Sequence, residues 1–202
     1  MVSWFIVKDF IITLYRDSRQ VILDPMFAAL GEEAGFCDWV GRLGRQATLA
    51  APTRRGGWSG AVLIYLRAIL LLEPSRKAEF RATVEAARRQ GAVVAVELPD
   101  AAWIRARGPQ AAYELAEIHP DVLFADEEAA AELGVPLEGI APVAVTRLAS
   151  GGCSVHGRRL RGPAAAAAEL DPDALAATFC VALVEGEAPV EAAGRAVLVA
   201  AR

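Results

Sequence analysis

From residue 62 to residue 134 the chain alternates between short apolar runs and helical patterns. Val62–Leu66 is strand-like; Glu73-Pro74-Ser75 then opens a helical stretch to Gln90, which Gly91 closes. Ala92–Leu98 (AVVAVEL) is the next strand pattern, Pro109–Ile118 the next helix, Val122–Ala125 the next strand, and Asp126–Leu133 a helix stopped by Gly134. A glycine just past the last periodic residue is a helix stop. Near-continuous apolar strands are buried on both faces, and parallel neighbours need a crossover, usually a helix, to join them. The alternation therefore predicts a three-layer α/β/α domain with a mostly parallel central sheet. A single domain over 1–202 is expected.

The flanking segments extend this pattern. Trp4–Tyr15 reads as one buried central strand, although Lys8 and Asp9 interrupt its apolar run. Gln20–Leu23 reads as a short returning strand, and Ala47–Ala51 as another. Glu32–Leu43 is helical, with Phe36, Trp39, Val40 and Leu43 on one face and Gly44 as its stop, while 52–60 (PTRRGGWSG) is a loop by composition. Ala141–Arg147 and Cys153–His156 form a hairpin through Ser150-Gly151-Gly152, and an alanine run at 164–168 connects to the last two helices, 171–185 and 190–201. Asp171 is a suitable N-cap and Pro172 suits the first helical position. The segment from Ala174 to Val184 is apolar on every side, so this helix is buried.

Charge and cysteine usage narrow the function. With 21 basic and 25 acidic residues, the net charge of −4 argues against a nucleic-acid partner, which would call for a basic face. Cys37, Cys153 and Cys180 are scattered and share no CxxC spacing, so they read as reduced thiols of a cytoplasmic protein without a metal site. MVSWFIV has no basic n-region, and no apolar run reaches the ~20 residues of a membrane helix.

The residues also resemble a family. AVLIYLRAILLLEPSRKAEFRATVEAARRQGAVVAVELPDAAWIRARG is similar to the middle strand-helix-strand run of the PfkB or ribokinase-like small-molecule kinases. PDVLFADEEAAAELG resembles the segment around their N-x-x-E motif, VAVTRLASGGCSV the strand and turn under the nucleotide, and DALAATFCVALVEG the helix after their glycine-rich anion hole. Upstream, FIVKDFIITLYRD resembles the first strand, and LGEEAGFCDWVGRLGRQATLAA the GG-x-x-x-N helix and second strand. The shared order carries the assignment to a shortened and degenerate member, with the lid and part of the N-terminal half reduced. The loop 52–60 marks a missing segment, and the lid hairpin after the first strand is cut to about 18–25.

The resemblance assigns roles residue by residue. Asp173 matches the general base, and Thr146, Gly151 and Gly152 lie on the nucleotide-contacting strand and turn. Elsewhere the match fails. Thr13 stands where the family has a substrate-binding acid, Leu30 and Gly31 at the paired glycines, and Gly35 at the asparagine. Ala129 replaces the glutamate of N-x-x-E, Ala149 the phosphate-side glycine, and Leu170-Asp171-Pro172 the Gly-Ala-Gly of G-A-G-D. An anion hole needs backbone N–H groups at a helix N-terminus. Pro172 removes a donor and Asp171 brings charge of the wrong sign.

Ordinary structural roles stand beside these. Asp173 can be a first-turn acid that complements the helix dipole; Asp126, Glu127 and Glu128 can be an N-cap and acidic first turn; Gly151-Gly152 can be a hairpin turn. His119 and His156 lack metal-ligand spacing, and Arg54-Arg55 and Arg158-Arg159 read as solvated pairs. The expected function is a non-catalytic binding or regulatory protein, with no cofactor and a possible small-molecule ligand. Two alternatives remain: an active carbohydrate or nucleoside kinase using ATP and Mg2+, or a ligand-free structural homo-oligomer. A homodimer is expected, with Trp58 near the contact.

Overall fold

A computed structural model describes residues 3–7, 11–15, 20–23, 46–49, 61–68, 74–89, 91–162 and 170–201. Its strands are β1 (Ser3–Val7), β2 (Ile11–Tyr15), β3 (Gln20–Leu23), β4 (Gln46–Leu49), β5 (Ala61–Arg67), β6 (Val93–Glu97), β7 (Val122–Asp126), β8 (Val143–Arg147), β9 (Cys153–Val155) and β10 (Arg158–Leu160). Its helices are α1 (Pro74–Arg89), α2 (Ala101–Arg107), α3 (Gln110–Ile118), α4 (Glu127–Leu133), α5 (Pro172–Val184) and α6 (Pro189–Ala200). The strands form one sheet in the order β10-β9-β8-β7-β6-β5-β2-β1-β3-β4. The run β5 to β8 is parallel, as are β1–β3 and β3–β4.

Strand alternation divides the core into two faces. Leu63, Tyr65, Ala95, Phe124 and Val145 point to one face and pack with α5 and α6. Ile64, Leu66, Val94, Val96, Leu123 and Ala144 point to the other and pack with α1, α2, α3 and α4. Side chains alternate with period 2, so each buried strand supplies both layers. This is the predicted three-layer α/β/α arrangement. Helix α5 is as deeply sunk as its composition requires: every residue from Ala174 to Ala182 is buried.

Three features differ from the sequence expectation. Trp4–Tyr15 is not one strand; β1 and β2 are antiparallel, with Phe5 opposite Thr13. An apolar run cannot by itself distinguish one long strand from two, and Lys8-Asp9 was the break signal. Strand β3 pairs parallel with β1 rather than returning beside β2. Helix α2 and strand β10 were not expected. Asp100 caps α2 by accepting from the Trp103 amide at 2.8 Å, and β10 is a three-residue edge with exposed Arg158 and Arg159. The expected helix 32–43 and the loop 52–60 lie outside the described residues. Among the described residues no helix is long and apolar enough to cross a membrane.

Candidate functional site

The face that packs on α5 becomes polar at the C-terminal ends of the parallel strands. Counting by twos from the buried Leu63, Ala95, Phe124 and Val145 reaches Arg67, Glu97, Asp126 and Arg147. The register sets Arg67 beside Glu97 and Asp126 beside Arg147. Between β6 and β7 Glu97 pairs with Phe124, two residues short of Asp126, so the charged residues form a stepped row on one face across four neighbouring strands. In open α/β sheets, ligands bind in the crevice outside these carboxyl ends.

The row is tightly linked. Glu97 is buried; it accepts from the Tyr65 hydroxyl at 2.6 Å and meets Arg147 Nη2 at 2.5 Å. Arg147 Nε donates to Asp126 Oδ1 at 2.6 Å. Burial, and then the Glu97 charge, push the Tyr65 phenol well above its ordinary value, so it stays a neutral donor. Burial works against the Arg147 charge, but Glu97 and Asp126 more than offset it and hold the guanidinium protonated. An isolated buried charge is costly, whereas one paired with and hydrogen-bonded to carboxylates is tolerated. Beneath lie Phe124 and Phe179 in an edge-to-face contact, with ring centroids 5.4 Å apart.

Helix α5 begins above this row. Asp171 is its N-cap, and one carboxylate oxygen accepts from the amides of Asp173 and Ala174 at 3.0 and 3.1 Å. Pro172 occupies the first turn and offers no donor. Leu170 turns inward and joins the core. The first-turn amides that could meet an anion are thus engaged by the chain's own carboxylate. Asp173, half-buried, has its carboxyl pushed above the usual range, first by desolvation and then by Asp171 and Glu97, with Arg67 and Arg147 opposing. Desolvated acids in a crevice are functional-site candidates, and Asp173 sits with the strand-end row.

The other expected positions fall nearby. Thr146 lies on β8 between Ala125 and Ser154, next in sequence to Arg147. Gly151 and Gly152 form the β8–β9 turn, both at positive φ, closed by Leu148 and Gly152 in a 3.0 Å bond. A Cβ on Gly152 would meet the Leu160 carbonyl oxygen at 2.1 Å. The close passage of the β10 exit therefore requires this glycine. Asp126 holds the N-cap position of α4 but makes no capping bond, because its carboxylate is turned to Arg147. Glu127 accepts from the Ala149 amide at 3.2 Å, Glu128 is exposed beside Arg105, and Ala129 is buried. Among the described residues no group of three His, Cys, Asp or Glu side chains could hold a metal ion. Thr13 pairs with Ile64 in mid-sheet, while Leu30, Gly31 and Gly35 lie outside the described residues. His119 ends α3 in a left-handed conformation, its carbonyl accepting from Arg88, and His156 sits in the exposed β9–β10 turn.

Sequence reasoning did not single out Tyr65, Arg67, Glu97 or Arg147. The signal was available: polar residues end four apolar strands at the same parity. Without the register, nothing shows that they meet.

No family model matches the chain, and no curated protein sequence matches it. Solved structures do. An adenosine kinase from Sinorhizobium meliloti is similar with a TM-score of 0.58 and 21% identity, over 67% of this chain and 46% of its own. A probable sugar kinase from Rhizobium etli CFN 42 gives 0.59 and 16%, over 70% and 48%. Aminoimidazole riboside kinase from Salmonella enterica gives 0.52 and 13%, over 68% and 54%. The chain spans about half the length of these kinases. At such identities the likeness shows the fold, which is the ribokinase-like α/β fold of sugar and nucleoside kinases.

Proposed function

We propose that the chain is a non-catalytic binding or regulatory protein built on a sugar- or nucleoside-kinase fold. One observation carries this reading: Asp171 accepts from the amides of Asp173 and Ala174 at the start of α5. Phosphoryl transfer depends almost wholly on positioning and charge stabilisation of the phosphate. Here a carboxylate stands where a phosphate oxygen would need those amides, and Pro172 removes a neighbouring donor. The glutamate expected for a magnesium network is the buried Ala129. The companion proposal is one domain over 1–202 that self-associates as a homodimer, with Trp58 near the contact.

A second reading has its own support. Asp173 is raised, half-buried and close to Arg67 and Arg147, as a general base beside substrate could be. On that reading the chain is an ATP- and Mg2+-dependent small-molecule kinase with a rearranged phosphate site, including Thr146, Gly151 and Gly152.

A thermal melt with and without millimolar MgATP, paired with ADP formation in the presence of sugars and nucleosides, separates the two. Saturating nucleotide at a hundredfold excess over its Kd would stabilise the fold by ~2.7 kcal/mol. The non-catalytic reading expects no shift in Tm and no turnover. Turnover that disappears in Asp173→Asn establishes the second reading.

A further inference from the structure

Arg147 ends β8, yet its side chain reaches across the end of β7 to β6. Nε donates to Asp126 at 2.6 Å, and Nη2 lies 2.5 Å from Glu97. Although it stands at the strand ends, where this class of sheet opens to ligands, the side chain is only 10% exposed. Two strands and the first turn of α5 present acids to it: Glu97, Asp126 and Asp173. Tyr65 completes the arrangement by donating to the Glu97 oxygen that Arg147 does not use. Nη1 is buried and makes no hydrogen bond among the described residues. The cation is therefore held by one edge of its fork, as a bound ligand would be, rather than fully satisfied as a core element.

We propose that Arg147 is a ligand carried by the chain itself: its guanidinium fills a receptor made by Glu97, Asp126 and the Tyr65 hydroxyl, and a chain lacking that side chain binds a small guanidinium or amidinium cation in its place. Removing one partner of a buried ion pair leaves an uncompensated charge, which is far worse than removing both. Without Arg147 the strand ends would hold a buried carboxylate on β6 and a more exposed one on β7, with the guanidinium's place between them empty. A planar cation with parallel N–H groups fits such a pair; a compact ammonium does not reproduce the geometry. In the intact chain the Arg147 side chain already occupies this position. The inference holds whether or not MgATP binds.

Chemical rescue tests it. Arg147→Ala is expected to melt well below the parent protein and to regain part of the loss in millimolar methylguanidinium chloride. Methylammonium chloride at equal ionic strength should restore nothing, and the parent protein should respond to neither. Adding Glu97→Gln to Arg147→Ala should abolish the rescue. If Arg147→Ala is recovered only unfolded, refolding from urea with and without methylguanidinium reads the same equilibrium, and recovery with the cation supports the proposal. Unaltered stability of Arg147→Ala overturns it. So does an equal response to both cations, a rescue that survives Glu97→Gln, or no recovery under any condition.

Discussion

Gly152 has a backbone reason for its identity. Its φ is +100°, and the Leu160 carbonyl oxygen passes 2.1 Å from where a Cβ would lie. Strained backbone of this kind costs about 1–3 kcal/mol for a residue with a side chain, and the contact with a carbonyl cannot relax by a rotamer change. Gly152→Ala is expected to destabilise the protein by at least about 2 kcal/mol in urea denaturation, whereas Gly157→Ala, with open space around it, should cost less. Asp173 makes an opposite prediction. Its folded carboxyl binds a proton more tightly than the unfolded one, whose value is about 3.9. The stability this supplies is complete below that value and is lost as pH rises through the folded value. At neutral pH the charged, desolvated Asp173 is therefore unfavourable. Asp173→Asn should raise Tm at pH 7 and flatten the loss of stability on going from acid to neutral pH, measured by melts across that range.

Helix α5 joins local sequence to global packing. It is apolar on every side, and it packs on the sheet alongside α6, which itself meets β9 and β10, with nine consecutive buried residues, Ala174 to Ala182. Its entry is set by Asp171 and Pro172. Loss of an N-cap typically costs ~1 kcal/mol, so Asp171→Ala should lower the unfolding free energy by that order in urea denaturation. The same change frees two amides at the helix N-terminus. Inorganic phosphate should then stabilise Asp171→Ala more than the parent protein in a melt. Equal shifts in the two would show that these amides do not determine anion binding. Within the helix, Phe179 is fully buried against Phe124, and Phe179→Ala should cost about 3–5 kcal/mol by loss of transfer energy and cavity formation.

At the scale of the molecule, one sheet runs from β10 to β4, and both of its faces are covered across β5 to β8. On the single-domain proposal, the shared sheet makes the chain unfold as one cooperative unit. A single calorimetric transition with equal calorimetric and van't Hoff enthalpies is the expected result, and two transitions would divide the chain. The proposed homodimer rests on the 54% hydrophobic composition and on the reduced lid and the missing segment at 52–60 that the resemblance implies, since apolar surface left uncovered usually marks an interface. Light scattering should give twice the 21.4 kDa chain mass.

The amino-acid sequence alone determined the layer architecture, because period-2 and period-3.6 apolar patterns each demand burial of a particular face. It also determined the entry to α5, because Asp171 and Pro172 act within one turn of the chain. The Ser150-Gly151-Gly152 turn was equally legible, since positive φ calls for glycine. Whether Trp4–Tyr15 is one strand or two was not decided by apolarity, which is the same in both. The strand-end site depended wholly on tertiary structure. Arg67, Glu97, Asp126 and Arg147 are 30, 29 and 21 residues apart in turn, and only the pairing of β5 to β8 brings them to one end and one face of the sheet. Asp126 shows the same limit at one residue: its sequence neighbourhood predicts a helix cap, but the Arg147 guanidinium arriving from β8 offers a charged partner and takes the carboxylate instead.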